Sequence, residues 1–101
     1  MNYLKEYNIT DEEIENIKKI LEKAEVNIDI FLFNEEKVRN ILDIFKNIGV
    51  TNLYDIIITN PYMFYDTVSS IASKINGYKD KNELARLLNE DPNNLDIVHL
   101  A

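Results

Sequence analysis

Apolar residues recur at steps of three and four along most of this chain, and that spacing limits its fold more than any other feature. The stretch 9–24 is the clearest case, because Ile14 and Leu21 belong to one apolar stripe of a helix. Thr10 and Glu13 have the spacing of a capping box, which satisfies two backbone amides at a helix start. We therefore predict a helix here, with its acidic residues in the first turn.

Four further helices follow from the same spacing. Gly49 is a natural helix stop, and Pro61 prevents a helix from continuing past that point. Asp80 has a capping partner in Glu83. The predicted helices cover residues 38–48, 52–59, 68–76 and 81–90. Asn34 is the predicted cap of the first of these four, with Glu35 and Glu36 in its first turn.

Residues 25–33 are ambiguous. Val26, Ile28 and Ile30 alternate with polar residues as in a strand, but the chain offers no second strand for pairing. We predict a buried connector with one helical turn, and the sequence leaves helix, strand and loop open here. The whole chain, 1–101, is then a single all-α domain of five or six helices.

The last two helix pairs match each other. Residues 38–64 align with residues 68–95 after one inserted residue, and Pro61 then falls on Pro92. Helical repeats bury their apolar faces by stacking on one another. We therefore predict a repeat-like stack of helix pairs, with units at 10–37, 38–67 and 68–98.

The stretch VRNILDIFKNIGVTNLYDIIITNPYMFYDTVSSIASKI, residues 38–75, resembles the mitochondrial transcription termination factor family. The likeness rests on Gly49-Val50, Pro61 and the aliphatic spacing, and covers about three-fifths of the chain if the second unit is included. It implies a curved solenoid whose basic concave face binds nucleic acid.

A second stretch, IGVTNLYDIIITNPY, is similar to helix-hairpin-helix segments of some DNA helicases. Those hairpins usually have a second glycine two places after the first, which presents backbone amides to a phosphate. Thr51 stands at that position here.

Charge bears on the nucleic-acid alternative. The net charge is −7, and residues 1–36 hold ten acids against four lysines, whereas residues 37–101 hold eight acids and seven bases. Attraction to phosphate backbones needs clustered lysine and arginine, and the chain has no such block. If that alternative holds, the contacts would come from four basic residues: Arg39, Lys46, Lys74 and Arg86.

Few residue patterns point to catalysis. The chain lacks cysteine, and its one histidine, His99, lies near the end, where we expect a frayed tail. With neither a phosphate-cradling glycine loop nor a ligand cluster, we expect no enzymatic activity, no metal and no cofactor. The absence of cysteine, of a signal-peptide pattern and of a long apolar run predicts a cytoplasmic protein.

The aromatic residues of ITNPYMFYD, residues 58–66, are the remaining unusual feature. The repeat pattern uses Pro61 and Phe64 as a structural corner, so Tyr62 and Tyr65 are left to project to one side. Tyrosine is enriched at recognition surfaces, although packing on helix ends is the more ordinary role and base stacking is a third. We predict that both are exposed, contribute little to stability and bind a protein partner or a second copy of the chain.

Overall fold

Helices form most of the fold in the computed structural model, which describes residues 1–100. The α-helices are α1 Asp11–Lys23, α2 Asp29–Phe33, α3 Glu35–Ile48, α4 Leu53–Thr59, α5 Val68–Asn76 and α6 Lys81–Glu90. Three 3-10 helices cover Asn2–Tyr7, Pro61–Tyr65 and Pro92–Val98. No residue from 1 to 100 lies in a β-strand, so the all-α prediction is confirmed.

The chain is more segmented than the predicted five or six helices. The N-terminal 3-10 helix was not predicted at all, and each proline opens a further 3-10 helix. A proline at the first position of such a helix loses no hydrogen bond, because the amide there has no partner within the helix.

Side-chain caps set the starts of α1, α5 and α6. Thr10 Oγ1 accepts a hydrogen bond from the Glu13 amide at 3.1 Å, and Glu13 Oε1 accepts one from the Thr10 amide at 2.9 Å. Asp80 caps α6 through the Glu83 amide. The predicted cap of α3 is wrong in detail, since Asn34 occupies the cap position but its side chain makes no capping hydrogen bond.

Residues 25–33, which the sequence left open, contain the single short helix α2. Val26 and Phe31 are buried, so the connector is anchored at two points. The Phe31 ring lies 4.8 Å from the Phe64 ring, measured between centroids. This contact joins α2 to the 3-10 helix that follows Pro61.

The core centres on α3, which packs against α2, α4, α5 and α6. Its Val38, Ile41, Leu42 and Phe45 are all fully buried. No polar or charged residue among 1–100 is buried as a whole. The described part of the chain measures 34 × 23 × 22 Å.

The predicted frayed tail is wrong. Val98 and Leu100 are buried, and the Leu100 carbonyl accepts a hydrogen bond from the side-chain amide of Asn60. Lys74 Nζ donates to the His99 carbonyl at 3.2 Å. The chain is thus held in place as far as residue 100. None of the helices in residues 1–100 is long and apolar enough to span a bilayer.

Candidate interaction surface

The 3-10 helix Pro61–Tyr65 separates its aromatic residues onto two sides. Because a 3-10 helix has three residues per turn, positions three apart lie in one row. Pro61 and Phe64 form a buried row, whereas Tyr62 and Tyr65 form a row that is 55% and 52% exposed. The predicted exposure of the two tyrosines on one side is therefore confirmed.

The two tyrosine hydroxyls are engaged with the connector between α1 and α2. Tyr62 donates a hydrogen bond to the Ala24 carbonyl at 2.6 Å, and Tyr65 accepts one from the Asn27 amide at 2.9 Å. Between these contacts, Glu25 adopts a left-handed backbone with φ 58°. The tyrosines thus hold the turn that ends α1, while leaving about half of each side chain in solvent.

Helix α2 adds two more exposed apolar side chains. Leu32 is 43% exposed and Phe33 is 81% exposed, although Phe31 is fully buried against Phe64. Residues two apart on a helix point to nearly opposite sides, so a helix that buries Phe31 turns Phe33 outward. We call Leu32, Phe33, Tyr62 and Tyr65, which lie on the two segments joined by the Phe31–Phe64 contact, the aromatic surface.

Sequence reasoning missed the α2 half of this surface. The run IFLF in residues 30–33 was interpreted as part of a buried connector. The available signal was its length, since one helical turn cannot place four consecutive large apolar residues on one face.

The four basic residues proposed for nucleic acid do not form one groove. Arg39 forms ion pairs with Glu6 and Glu35, and its guanidinium lies 5.4 Å from the Tyr3 ring centroid. These two carboxylates raise the pKa of Arg39 above its usual value. Lys46 lies on the same helix, and its Nζ atom is 5.7 Å from the centroid of the Tyr7 ring.

The other two basic residues lie elsewhere. Lys74 is 3.7 Å from Asp66, and Arg86 forms an ion pair with Glu90 at 2.8 Å. Lys46, Lys74 and Arg86 line three separate depressions of 190, 280 and 470 Å³. Only Arg39 and Lys46 share an element, although the depressions lined by Lys46 and Arg86 both include Gly49.

The loop between α3 and α4 corresponds to the hairpin turn of the helix-hairpin-helix resemblance. Gly49 has φ 107°, which suits glycine. The Thr51 amide donates to Asn89 Oδ1 at 2.9 Å, and Asn89 Nδ2 donates to the Gly49 carbonyl at 3.1 Å. The loop amide at residue 51 is thus already occupied by a side chain of α6.

The N-terminal 3-10 helix holds the two tyrosines whose pKa values are perturbed. Desolvation raises the pKa of Tyr3, whose hydroxyl donates to the Phe31 carbonyl at 2.6 Å. Desolvation and then the hydrogen bond to Asp43 raise the pKa of Tyr7. Both shifts favour the neutral phenol, which is the form that donates these two hydrogen bonds.

His99 has a structural explanation. Its backbone is left-handed with φ 60°, a conformation in which histidine is enriched among non-glycine residues. Within residues 1–100, no group of three or more histidine and acidic side chains is placed to hold a metal ion.

Comparison with known proteins gives no information about this surface. No family model, curated protein or solved structure matches this chain.

Proposed function

We propose that this chain is a non-enzymatic protein-interaction module that binds its partner through the aromatic surface. The observation that carries the proposal is the 81% exposure of Phe33 on α2, a helix whose Phe31 packs against the 3-10 helix that bears two half-exposed tyrosines. Large apolar groups that share one part of a surface are typical of interaction sites. Aromatic side chains also dominate the binding energy of many interfaces.

Self-association is the second form of the same proposal. A short stack of helix pairs leaves terminal apolar faces that a second copy could cover. Light scattering across a range of protein concentrations distinguishes the two forms, since only self-association gives a mass that rises with concentration.

The stacked arrangement remains part of the proposal. In support, two α-helices and a proline-led 3-10 helix follow one another twice, in residues 35–65 and 68–98. The aligned residues Phe64 and Leu95 are both fully buried. A cytoplasmic location is also kept, as the cysteine-free sequence predicts.

A nucleic-acid-binding domain of termination-factor-like or helix-hairpin-helix type is the alternative function. It has weaker support, because Arg39 and Arg86 are each paired with carboxylates. The presence of Arg39 and Lys46 on one helix is the feature in its favour.

Purification from the natural host tests the proposal. Tagged wild-type protein, Phe33→Ser and the control Ile97→Ser are prepared in parallel; Ile97 is a 42% exposed side chain on the C-terminal 3-10 helix. We expect a co-purifying protein that wild type and Ile97→Ser retain and that Phe33→Ser loses. Equal recovery with Phe33→Ser would contradict binding through the aromatic surface.

A further inference from the structure

Three carboxylates that are close in sequence to the aromatic surface, or to the turn that its tyrosines contact, have no ion-pair partner. Asp29 precedes Phe33 by four residues on α2, so the two side chains share a face of that helix. Glu25 lies in the turn held by the two tyrosines, and Glu36 follows Phe33 by three residues. All three acids are exposed, and within residues 1–100 none of them takes part in an ion pair.

The local charge is net negative. Residues 22–37 contain five acids and two bases, Lys23 and Lys37, which gives a net charge of −3. Elsewhere several acids are compensated, as Glu90 is by Arg86 and Asp66 is by Lys74. The segment that carries Leu32 and Phe33 therefore has a net negative charge.

We propose, on the basis of the interaction function above, that the partner presents a lysine- or arginine-rich amphipathic segment to the aromatic surface. The apolar side of that segment covers Phe33 and Leu32. Its cations meet Glu25, Asp29 and Glu36 at the rim, where complementary charge favours encounter and specificity.

The exposed rings strengthen the same choice. Lysine and arginine are attracted to the faces of aromatic rings, and three of the four side chains of the aromatic surface are aromatic. The chain already uses this chemistry internally, since Arg39 lies over the ring of Tyr3. A cationic segment therefore gains from both the rings and the carboxylates.

A second copy of the chain fits this surface less well. A symmetric dimer would place the same patch against itself, which would bring Asp29 and Glu36 of both copies close together. Each copy also carries a net charge of −7. Like charges across an interface oppose association.

A synthetic peptide provides the direct test. The probe is an amphipathic helix of lysine and leucine with one tryptophan, and its controls replace every lysine by glutamine or by glutamate. Because the chain has no tryptophan, emission from the peptide reports binding without background. We expect the lysine peptide to bind, the glutamine peptide to bind about tenfold more weakly, and the glutamate peptide not to bind.

Variants of the protein locate the contact. Phe33→Ser should abolish the blue shift of the tryptophan emission. Asp29→Asn with Glu36→Gln should weaken binding of the lysine peptide about tenfold and leave the glutamine peptide unchanged. The matched control is Glu12→Gln with Asp96→Asn, which removes the same charge at exposed positions on other elements and should have little effect.

Each contrary result has a distinct meaning. Equal binding of the lysine and glutamine peptides would overturn the basic partner and leave the interaction function intact. Equal losses in the two charge variants would show nonspecific attraction to an acidic protein, which also overturns it. If no peptide binds the wild type, the inference is overturned. If the wild type dimerises as its concentration rises and Phe33→Ser does not, a second copy of the chain is the occupant of the surface. The host purification described above decides the interaction function separately.

Discussion

Four residues among 1–100 have a left-handed backbone, and only Gly49 is a glycine. The others are Asn8, Glu25 and His99. Each of the four is followed directly by a buried aliphatic residue: Ile9, Val26, Val50 and Leu100. In three of these cases, after α1, α3 and the C-terminal 3-10 helix, the amide of the buried residue donates a hydrogen bond to the carbonyl five residues earlier in the chain. One residue thus reverses the chain while its neighbour anchors the turn in the core.

Glu25 is the strained member of this group. A residue with a Cβ in the left-handed region is disfavoured by roughly 1–2 kcal/mol, and glycine is not. Since glycine also has a more flexible unfolded state, we expect Glu25→Gly to raise the free energy of unfolding by up to about 1 kcal/mol. Urea denaturation measures the change.

The matched control is Glu22→Gly, which lies inside α1. It should cost about 1 kcal/mol, because glycine is a poor helix former. A destabilised Glu25→Gly would show that the glutamate side chain contributes something that its backbone conformation does not explain.

The hydroxyls of Tyr62 and Tyr65 give a second prediction at this scale. The sequence predicted little contribution to stability, whereas the structure shows hydrogen bonds to Ala24 and Asn27. We expect Tyr62→Phe and Tyr65→Phe to cost about 0.5–1 kcal/mol each. Thermal unfolding of the single and double variants provides the measurement.

Phe64→Ala shows how large the loss of stability is when a residue of the core is removed. The Phe64 ring is fully buried, so its removal should cost about 3–5 kcal/mol. If the two tyrosine variants were as damaging as Phe64→Ala, the tyrosines would belong to the core and the aromatic surface would be reduced to its α2 half.

At the scale of elements, the N-terminal 3-10 helix is attached by polar contacts as well as apolar ones. Tyr3 bonds to a carbonyl of α2 and Tyr7 bonds to a carboxylate of α3. Leu4, between them, is fully buried. The attachment of this helix therefore depends on two neutral phenols.

Alkaline titration tests that dependence. The pKa values of Tyr3 and Tyr7 are raised in the folded chain, so the native state holds their protons after the unfolded state has released them. Their contribution to stability is complete below about pH 10, the ordinary tyrosine pKa, and is lost as the pH rises further.

We expect the free energy of unfolding to fall above about pH 10, and to fall less steeply in Tyr3→Phe and in Tyr7→Phe. Ultraviolet titration of tyrosinate should show late ionisation in native protein and ordinary ionisation in denatured protein. Identical titration curves for the two states would contradict the raised pKa values.

Elements with local signals were predictable from the sequence. The predicted bounds of α5 and α6 match the structure, and α1 and α4 differ by a residue or two, because caps, glycine and proline act within one turn. The N-terminal 3-10 helix and the buried tail were missed, since Tyr3–Phe31 and Asn60–Leu100 are contacts between distant residues. Half of the aromatic surface was predictable, because Pro61 orients the two tyrosines through a local effect. The other half was not, because the packing of Phe31 turns Phe33 outward.

For the whole molecule, charge pairing matters more than charge count. Of the bases considered for nucleic acid, Arg39, Lys74 and Arg86 are each close to a carboxylate of the same chain. A base that is already paired releases few counterions from a phosphate backbone, and counterion release provides most nonspecific affinity.

We therefore expect duplex DNA to bind more weakly than about 1 µM at about 150 mM salt, as measured by fluorescence anisotropy of a labelled duplex. Lys46→Glu, which changes a base that faces a ring and no carboxylate, should leave the result unchanged. Submicromolar binding that Lys46→Glu removes would favour the nucleic-acid alternative over the interaction module.

The exposure of Phe33 also gives the molecule a built-in protease site. Chymotrypsin cleaves after large aromatic residues, and Phe33 is the last residue of a five-residue helix, with only Asn34 between it and α3. Exposed junctions are preferred places for nicking, so a brief digestion should cut after Phe33 before it cuts after the less exposed Tyr62 and Tyr65. A partner that covers Phe33 must slow this cleavage. The rate of cleavage therefore measures how much of the aromatic surface is occupied, and no label is needed.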